Sequence, residues 1–172
     1  MKKLCHDFKV ARSLKDHYKL PMRIAIASDH AAVDMKRQLR EWLIDEGHEV
    51  ADLGPDSHDS VDYPDYGYRL ADVVADNTAQ RGIALCGSGI GISIALNRNP
   101  LVRCALVSEP LSARLAREHN DANVLALGAR IVGIEMAKAC IDSFLVTDYE
   151  GGRHQRRVDK LSRPTLSQEP TT

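Results

Sequence analysis

Five short apolar runs alternate with stretches whose apolar residues recur every three or four positions, and this alternation most narrowly limits what the chain can fold into. The runs are Met22–Ser28, His48–Asp52, Gly82–Cys86, Arg103–Val107 and Asn123–Leu127. Between them, Ala32, Met35, Leu39, Trp42 and Leu43, then Tyr66, Leu70, Val73 and Val74, carry helical spacing. A helix to about Asn97 follows the third run, and one carried by Leu111 and Leu115 toward His119 follows the fourth. Ala137, Cys140, Ile141, Phe144 and Leu145 mark the last long helix. Gly47 suits a helix C-terminus, and Ser108-Glu109-Pro110 a helix start with proline near its first position. Strands alternating with helices predict an α/β fold of three layers: a Rossmann-like, five-stranded parallel sheet with helices on both faces and right-handed crossovers. The expected strand order is 2-1-3-4-5, with ligands beyond the carboxyl ends of the strands.

Length and composition bound the rest. A chain of 172 residues supports one domain with a sizeable core, and 5% aromatic content makes that core one of Ala, Leu, Val and Ile. With a net charge of −1, nothing in the composition suggests a general nucleic-acid or membrane-surface binder. No apolar stretch approaches the roughly 18 residues of a membrane span. Cysteines stand at 5, 86, 104 and 140 without a C-x-x-C pair, which suits a reduced, cytoplasmic protein. Residues 1–21 are basic, lack the apolar core of a secretory signal and read as an extension outside the fold. Cys5-His6 lacks the further ligands of a metal site, and no metal cluster or cofactor motif is visible elsewhere. The domain spans 22–161, and the polar residues 162–172 read as a flexible tail.

The chemistry concentrates at Ile83–Ser93, where a strand ending in Cys86 meets a turn with glycines at 87, 89 and 91. Such a turn lets backbone N–H groups approach a ligand, and a following helix start adds unpaired donors. The same field favours a thiolate at Cys86. A Walker A loop needs Gly-Lys-Ser/Thr at its end, which is absent. A dinucleotide fingerprint needs a third glycine where Ile92 stands. The arginine of a cysteine phosphatase loop would fall at the same Ile92. The ligand-end rule gathers Asp29 and His30, after the first strand, beside Cys86–Gly91; Tyr63 joins them only if its long acidic loop folds back. His119 and Asn120 fall at the opposite end of the sheet, so a partnership of His119 with Cys86 requires two chains. Past the Gly151-Gly152 break, residues 153–161 can form a further helix with His154, Val158 and Leu161 on one face. Arg153 and Arg157, four apart, then suit a phosphate group.

SDHAA (28–32), DYPDY (62–66), CGSGIGISIALN (86–97), SEP (108–110), EHNDANVLALGAR (118–130) and YEGGRHQRR (149–157) occur in one order along the chain. With these motifs the chain resembles the type B ribose-5-phosphate isomerases, in the family shared with galactose-6-phosphate isomerase subunits. The likeness runs from Arg23 to about Leu161. It implies an aldose–ketose isomerase of ribose 5-phosphate and ribulose 5-phosphate, in the non-oxidative branch of the pentose phosphate pathway. Cys86 would be the base that moves a proton between C2 and C1. Gly87, Ser88, Gly89, Ile90 and Gly91 would bind the enediolate oxygen. His119 would open the furanose ring; Asp29, His30 and Asn120 would hold hydroxyls or assist. Tyr63 would line the sugar pocket, and Arg130, Arg153 and Arg157 would bind phosphate, with His30 or His154 nearby. The resemblance implies no cofactor and no metal, and homodimers or dimer pairs with shared sites. Some relatives use a glutamate a few residues later as base; here Ile92–Ala95 holds no carboxylate. The competing expectations are a hexose-6-phosphate isomerase (allose or galactose 6-phosphate) and a non-catalytic sugar-phosphate-binding module.

Overall fold

A computed structural model describes residues 21–163. The expectations for the arm before Pro21 and for the tail from 164 onward lie outside the described residues. Five strands, β1 (Arg23–Ser28), β2 (Glu49–Asp52), β3 (Arg81–Cys86), β4 (Cys104–Leu106) and β5 (Val124–Gly128), form one parallel sheet. Among the described residues six α-helices follow the expected alternation: α1 (Val33–Asp45), α2 (Tyr63–Ala75), α3 (Ile90–Leu96), α4 (Pro110–Asn120), α5 (Ile134–Val146) and α6 (Gln155–Leu161). Short 3-10 turns at His30–Ala32 and Gly152–His154 precede α1 and α6.

The strand residues divide the layers by size. Ile24, Ile26, Ile83, Leu85, Leu125 and Leu127 face one side, where they pack with Leu39 and Leu43 of α1 and Ile141 and Phe144 of α5. Their neighbours Ala25, Ala27, Ala84 and Ala126 face the other, with Leu70 and Val74 of α2 and Ile92 and Leu96 of α3. This is the period-two alternation of a strand buried on both faces. Each fully buried Leu or Ile contributes about 1.5–3 kcal/mol. On the small-residue side the helices approach closely: a Cβ placed on Gly67 of α2 would lie 3.1 Å from the Ala95 Cβ of α3. Cys86 belongs to this side.

The strand order is β2-β1-β3-β5-β4, which corrects the expected 2-1-3-4-5 at its last two places. The five residues of β5 are all buried, so β5 takes the inner position, where both of its edges are paired. The three-residue β4 is half-exposed and takes the outside. There the Asn97 side chain acts as a substitute strand: its Nδ2 donates to the Cys104 carbonyl and its Oδ1 accepts from the Cys104 amide, both at 2.9 Å.

The α4 register also differs from expectation. Leu111 is exposed and Leu115 half-buried; Ala113, Ala116 and Arg117 form the buried face. Pro110 does open the helix, and the Glu109 carboxylate accepts from the Leu111 and Ser112 amides, both at 2.6 Å. The Ser112 side chain, together with these amide bonds, holds the Glu109 pKa below the usual carboxylate range. In the last segment His154 and Val158 are buried, but Leu161 is exposed. No helix among the described residues is long and apolar enough to cross a membrane.

Candidate active site

Two groups of the expected residues assemble, at opposite ends of the sheet. The first surrounds the turn from β3 to α3. Cys86 is the last residue of β3, and its sulfur accepts the Gly89 N–H at 3.0 Å. Gly89 achieves this with φ of +78°, and a Cβ there would sit 2.9 Å from the Leu127 carbonyl carbon. Glycine is therefore required by both conformation and space. A backbone donor aimed at sulfur stabilises negative charge on it. The Ser88 hydroxyl is exposed beside it and accepts from the Ile90 amide at 3.3 Å.

The turn after β5 clamps this loop. Ala129 and Arg130 donate their amides to the carbonyls of Cys86 and Gly87 at 2.9 and 3.0 Å. The Arg130 guanidinium lies over Gly87, 3.3 Å from where a Cβ would stand. Asp29 follows β1, the strand beside β3, and its Oδ1 caps the 3-10 turn by accepting from Ala31 N–H at 2.9 Å. His30 ties in the long acidic loop: its Nδ1 lies 3.2 Å from the Val61 amide. That contact folds the loop back and brings Tyr63, the first residue of α2, to the glycine turn. Its ring touches Gly91 so closely that a Cβ would fall 2.5 Å from Tyr63 Cζ.

The second group sits at the amino end. In register, β3 and β5 run from Gly82 opposite Val124 to Cys86 opposite Gly128. His119 precedes Val124, so about 13 Å of strand separates its end of the sheet from Cys86. Half-buried His119 and exposed Asn120 close α4. The His119 ring stacks on that of His154, with centroids 4.4 Å apart and planes 8° from parallel. Arg153 Nε donates to His154 Nε2 at 3.2 Å. Arg153 lies in the 3-10 turn and Arg157 in the first turn of α6, both exposed; the two arginines straddle a change of helix type rather than sharing one α-helix.

His119, Glu150 and His154 bring three ligand-type atoms within 4.8 Å of one another. They fit a metal poorly. Lone pairs in two parallel ring planes cannot converge on one ion, and the cationic Arg153 already uses the Nε2 of His154.

A family model described as ribose/galactose isomerase matches residues 24–161. The chain belongs to the ribose/galactose isomerase family. It is 45% identical to the ribose-5-phosphate isomerase B of Escherichia coli over 140 residues, 81% of this chain and 94% of that one. A solved ribose-5-phosphate isomerase from Thermotoga maritima superposes with a TM-score of 0.81 at 48% identity, covering 82% of this chain and 97% of that one. The ribose-5-phosphate isomerase B of Mycoplasma genitalium, solved with bound ribulose-5-phosphate, gives 0.80 at 41% identity, with 84% and 97% covered.

Residues beyond the sequence expectations fix the end of α4 that carries His119. Arg117 is 3% exposed; its Nη1 bonds Asp121 Oδ1 at 2.8 Å and the Ala122 carbonyl. Arg103 takes the other Asp121 oxygen at 2.7 Å. Asp121 itself adopts φ of +45°, ending α4 in the left-handed region that Asp and Asn tolerate. On the Leu111–Leu115 face read from the sequence Arg117 falls on the far side of the helix, so the hydrophobic pattern carried no signal of it.

Proposed function

We propose that the chain interconverts ribose 5-phosphate and ribulose 5-phosphate through an enediolate, in a homodimer whose two sites each draw on both chains. The supporting observation is the separation itself: Cys86 and its loop lie at one end of the sheet, His119, Arg153 and Arg157 at the other. One chain alone cannot bring both groups to a substrate. A two-fold pairing that sets one chain's carboxyl end against its partner's amino end gives each site a full complement.

In this reading His119 of one chain protonates the ring oxygen and the furanose opens. The Cys86 thiolate of the other chain removes the C2 proton, and charge moves onto the carbonyl oxygen. Backbone donors of the Gly87–Gly91 turn stabilise that charge, a contribution typically of about 2.7–4 kcal/mol for one donor. The O2 hydroxyl proton passes to O1, the thiol returns its proton to C1, and the ketose results. A positioned base supplies roughly 10²–10⁴-fold. Asp29, His30, Asn120 and Tyr63 hold the sugar. Arg130 from the Cys86 end and Arg153 and Arg157 from the other grip the phosphate, so its binding energy fixes C1 and C2 at the sulfur.

The test is ketose formation from ribose 5-phosphate, followed spectroscopically, with allose 6-phosphate and galactose 6-phosphate in parallel. Faster turnover of either hexose would reassign the substrate. Binding of all three without turnover would make the chain a sugar-phosphate-binding module.

A further inference from the structure

His154 takes no step in the scheme above, yet it is more tightly held than the histidine it touches. It is 7% exposed, at the end of the 3-10 turn Gly152–His154. Gly151 and Gly152 reach that turn with φ of +63° and +53°. The strap is pinned to α4 by the Glu150 amide, which donates to the Glu118 carbonyl at 3.1 Å. Two different parts of the ring are in use. Its flat face stacks on His119, and its Nε2 edge accepts from Arg153.

The groups around it are His119 from α4, Glu150 and Arg153 from its own strap, and Arg157 from α6. Burial lowers the His154 pKa, and His119, Arg153 and Arg157 lower it further against the opposing pull of Glu150. Two stacked imidazoles cannot both hold a proton cheaply. An Nε2 that accepts from Arg153 is itself unprotonated, consistent with a neutral His154.

We propose that His154 is a positioning residue that holds His119 through its ring face and Arg153 through its Nε2, fixing the ring-opening acid and a phosphate-binding guanidinium in one relation. This rests on the functional reading given above.

The two contacts separate by substitution. His154→Phe keeps a flat face and loses the acceptor. His154→Gln keeps an acceptor and loses the face. The substrates separate as well: D-erythrose 4-phosphate carries its phosphate on O4, cannot close a furanose ring and needs no ring-opening acid. His154→Gln should lower kcat on ribose 5-phosphate by about tenfold, part of what a positioned acid supplies, and should cost much less on the tetrose. His154→Phe should raise KM by up to about tenfold on both sugars, as a charge-assisted contact is loosened, with kcat less affected. Either variant decides the matter if the other does not fold. Equal losses on both substrates from both variants would reduce His154 to a structural role and overturn the proposal, as would wild-type constants. His119→Ala is the control. If it fails equally on ribose and tetrose, the ring-opening role of His119 is wrong, and the proposal falls with it.

Discussion

The amide of Gly89 points at the sulfur of Cys86 from 3.0 Å, across a turn whose left-handed φ only glycine adopts without strain. The residue that supplies the donor is thus the one that shapes the turn. Cys86→Ala should lower kcat by at least the roughly 10²–10⁴-fold of a lost base while ribose 5-phosphate still binds. Calorimetric titration beside a turnover assay checks both halves, and near-wild-type turnover would remove Cys86 from the chemistry.

His119 and Cys86 occupy opposite ends of one sheet. Chains carrying Cys86→Ala and chains carrying His119→Ala should each be inactive alone. Mixed under conditions that exchange subunits, they should regain activity, because a hybrid dimer holds one intact site. No recovery despite demonstrated exchange would rule out sites built across chains.

Arg157 is exposed on α6, so its loss should leave the fold alone. Arg157→Ala should reduce kcat/KM by about 10–150-fold, the worth of one charge-assisted bond. Arg157→Lys should restore only part, since the planar fork is gone. The loss should shrink on unphosphorylated ribose; the same fold-loss on both sugars would point to assembly rather than phosphate.

Gly91 leaves room for the Tyr63 ring. Gly91→Ala should drive that half-exposed ring outward with little change in melting temperature, yet lower kcat/KM by up to about 10²-fold through misplacement. In a Tyr63→Ala background the same substitution should cost little more, a coupling readable in a double-mutant cycle. Additive losses would show that Gly91 matters for some other reason.

His48 is 7% exposed and its Nδ1 lies 3.3 Å from the Met22 amide. Burial, the largest influence, lowers its pKa below 6.5, against opposing pulls from Glu46 and Asp142. The unfolded chain therefore takes up this proton more readily than the folded one. Stability is full above the unfolded value of about 6.5 and is lost as pH falls through it toward the folded value. Melting temperature should drop between about pH 7.5 and 5.5, and His48→Gln should flatten that slope. A variant with the wild-type slope would move the effect to other groups.

Much of the fold was legible because each strand and helix announces itself in local pattern. The order of β4 and β5 was not. Both read as short apolar runs, and only the burial of all five β5 residues against the half-exposed β4 decides which lies inside. At the site, the loop around Cys86 could be read from its glycines, and the opposite placement of His119 from topology alone. The return of Tyr63 could not, since it depends on His30 meeting the Val61 backbone 31 residues away. Nor could the His119–His154 stack, which depends on how two glycines turn the chain. Arg117 was missed because its interior position is made tolerable by Asp121 and a carbonyl, neither visible in a hydrophobic pattern.

The Asn97 side chain meets both outward-facing backbone groups of Cys104 on the outermost strand. A sheet margin closed in this way offers little template for a foreign strand to extend. Self-association along that border, whether as a continuous sheet between subunits or as a fibril seed, is discouraged. At that border, association is left to helix faces and loops. An Asn97→Asp exchange would put a carboxylate against the Cys104 carbonyl and reopen that margin, so a local amide guards a colloidal property of the whole protein.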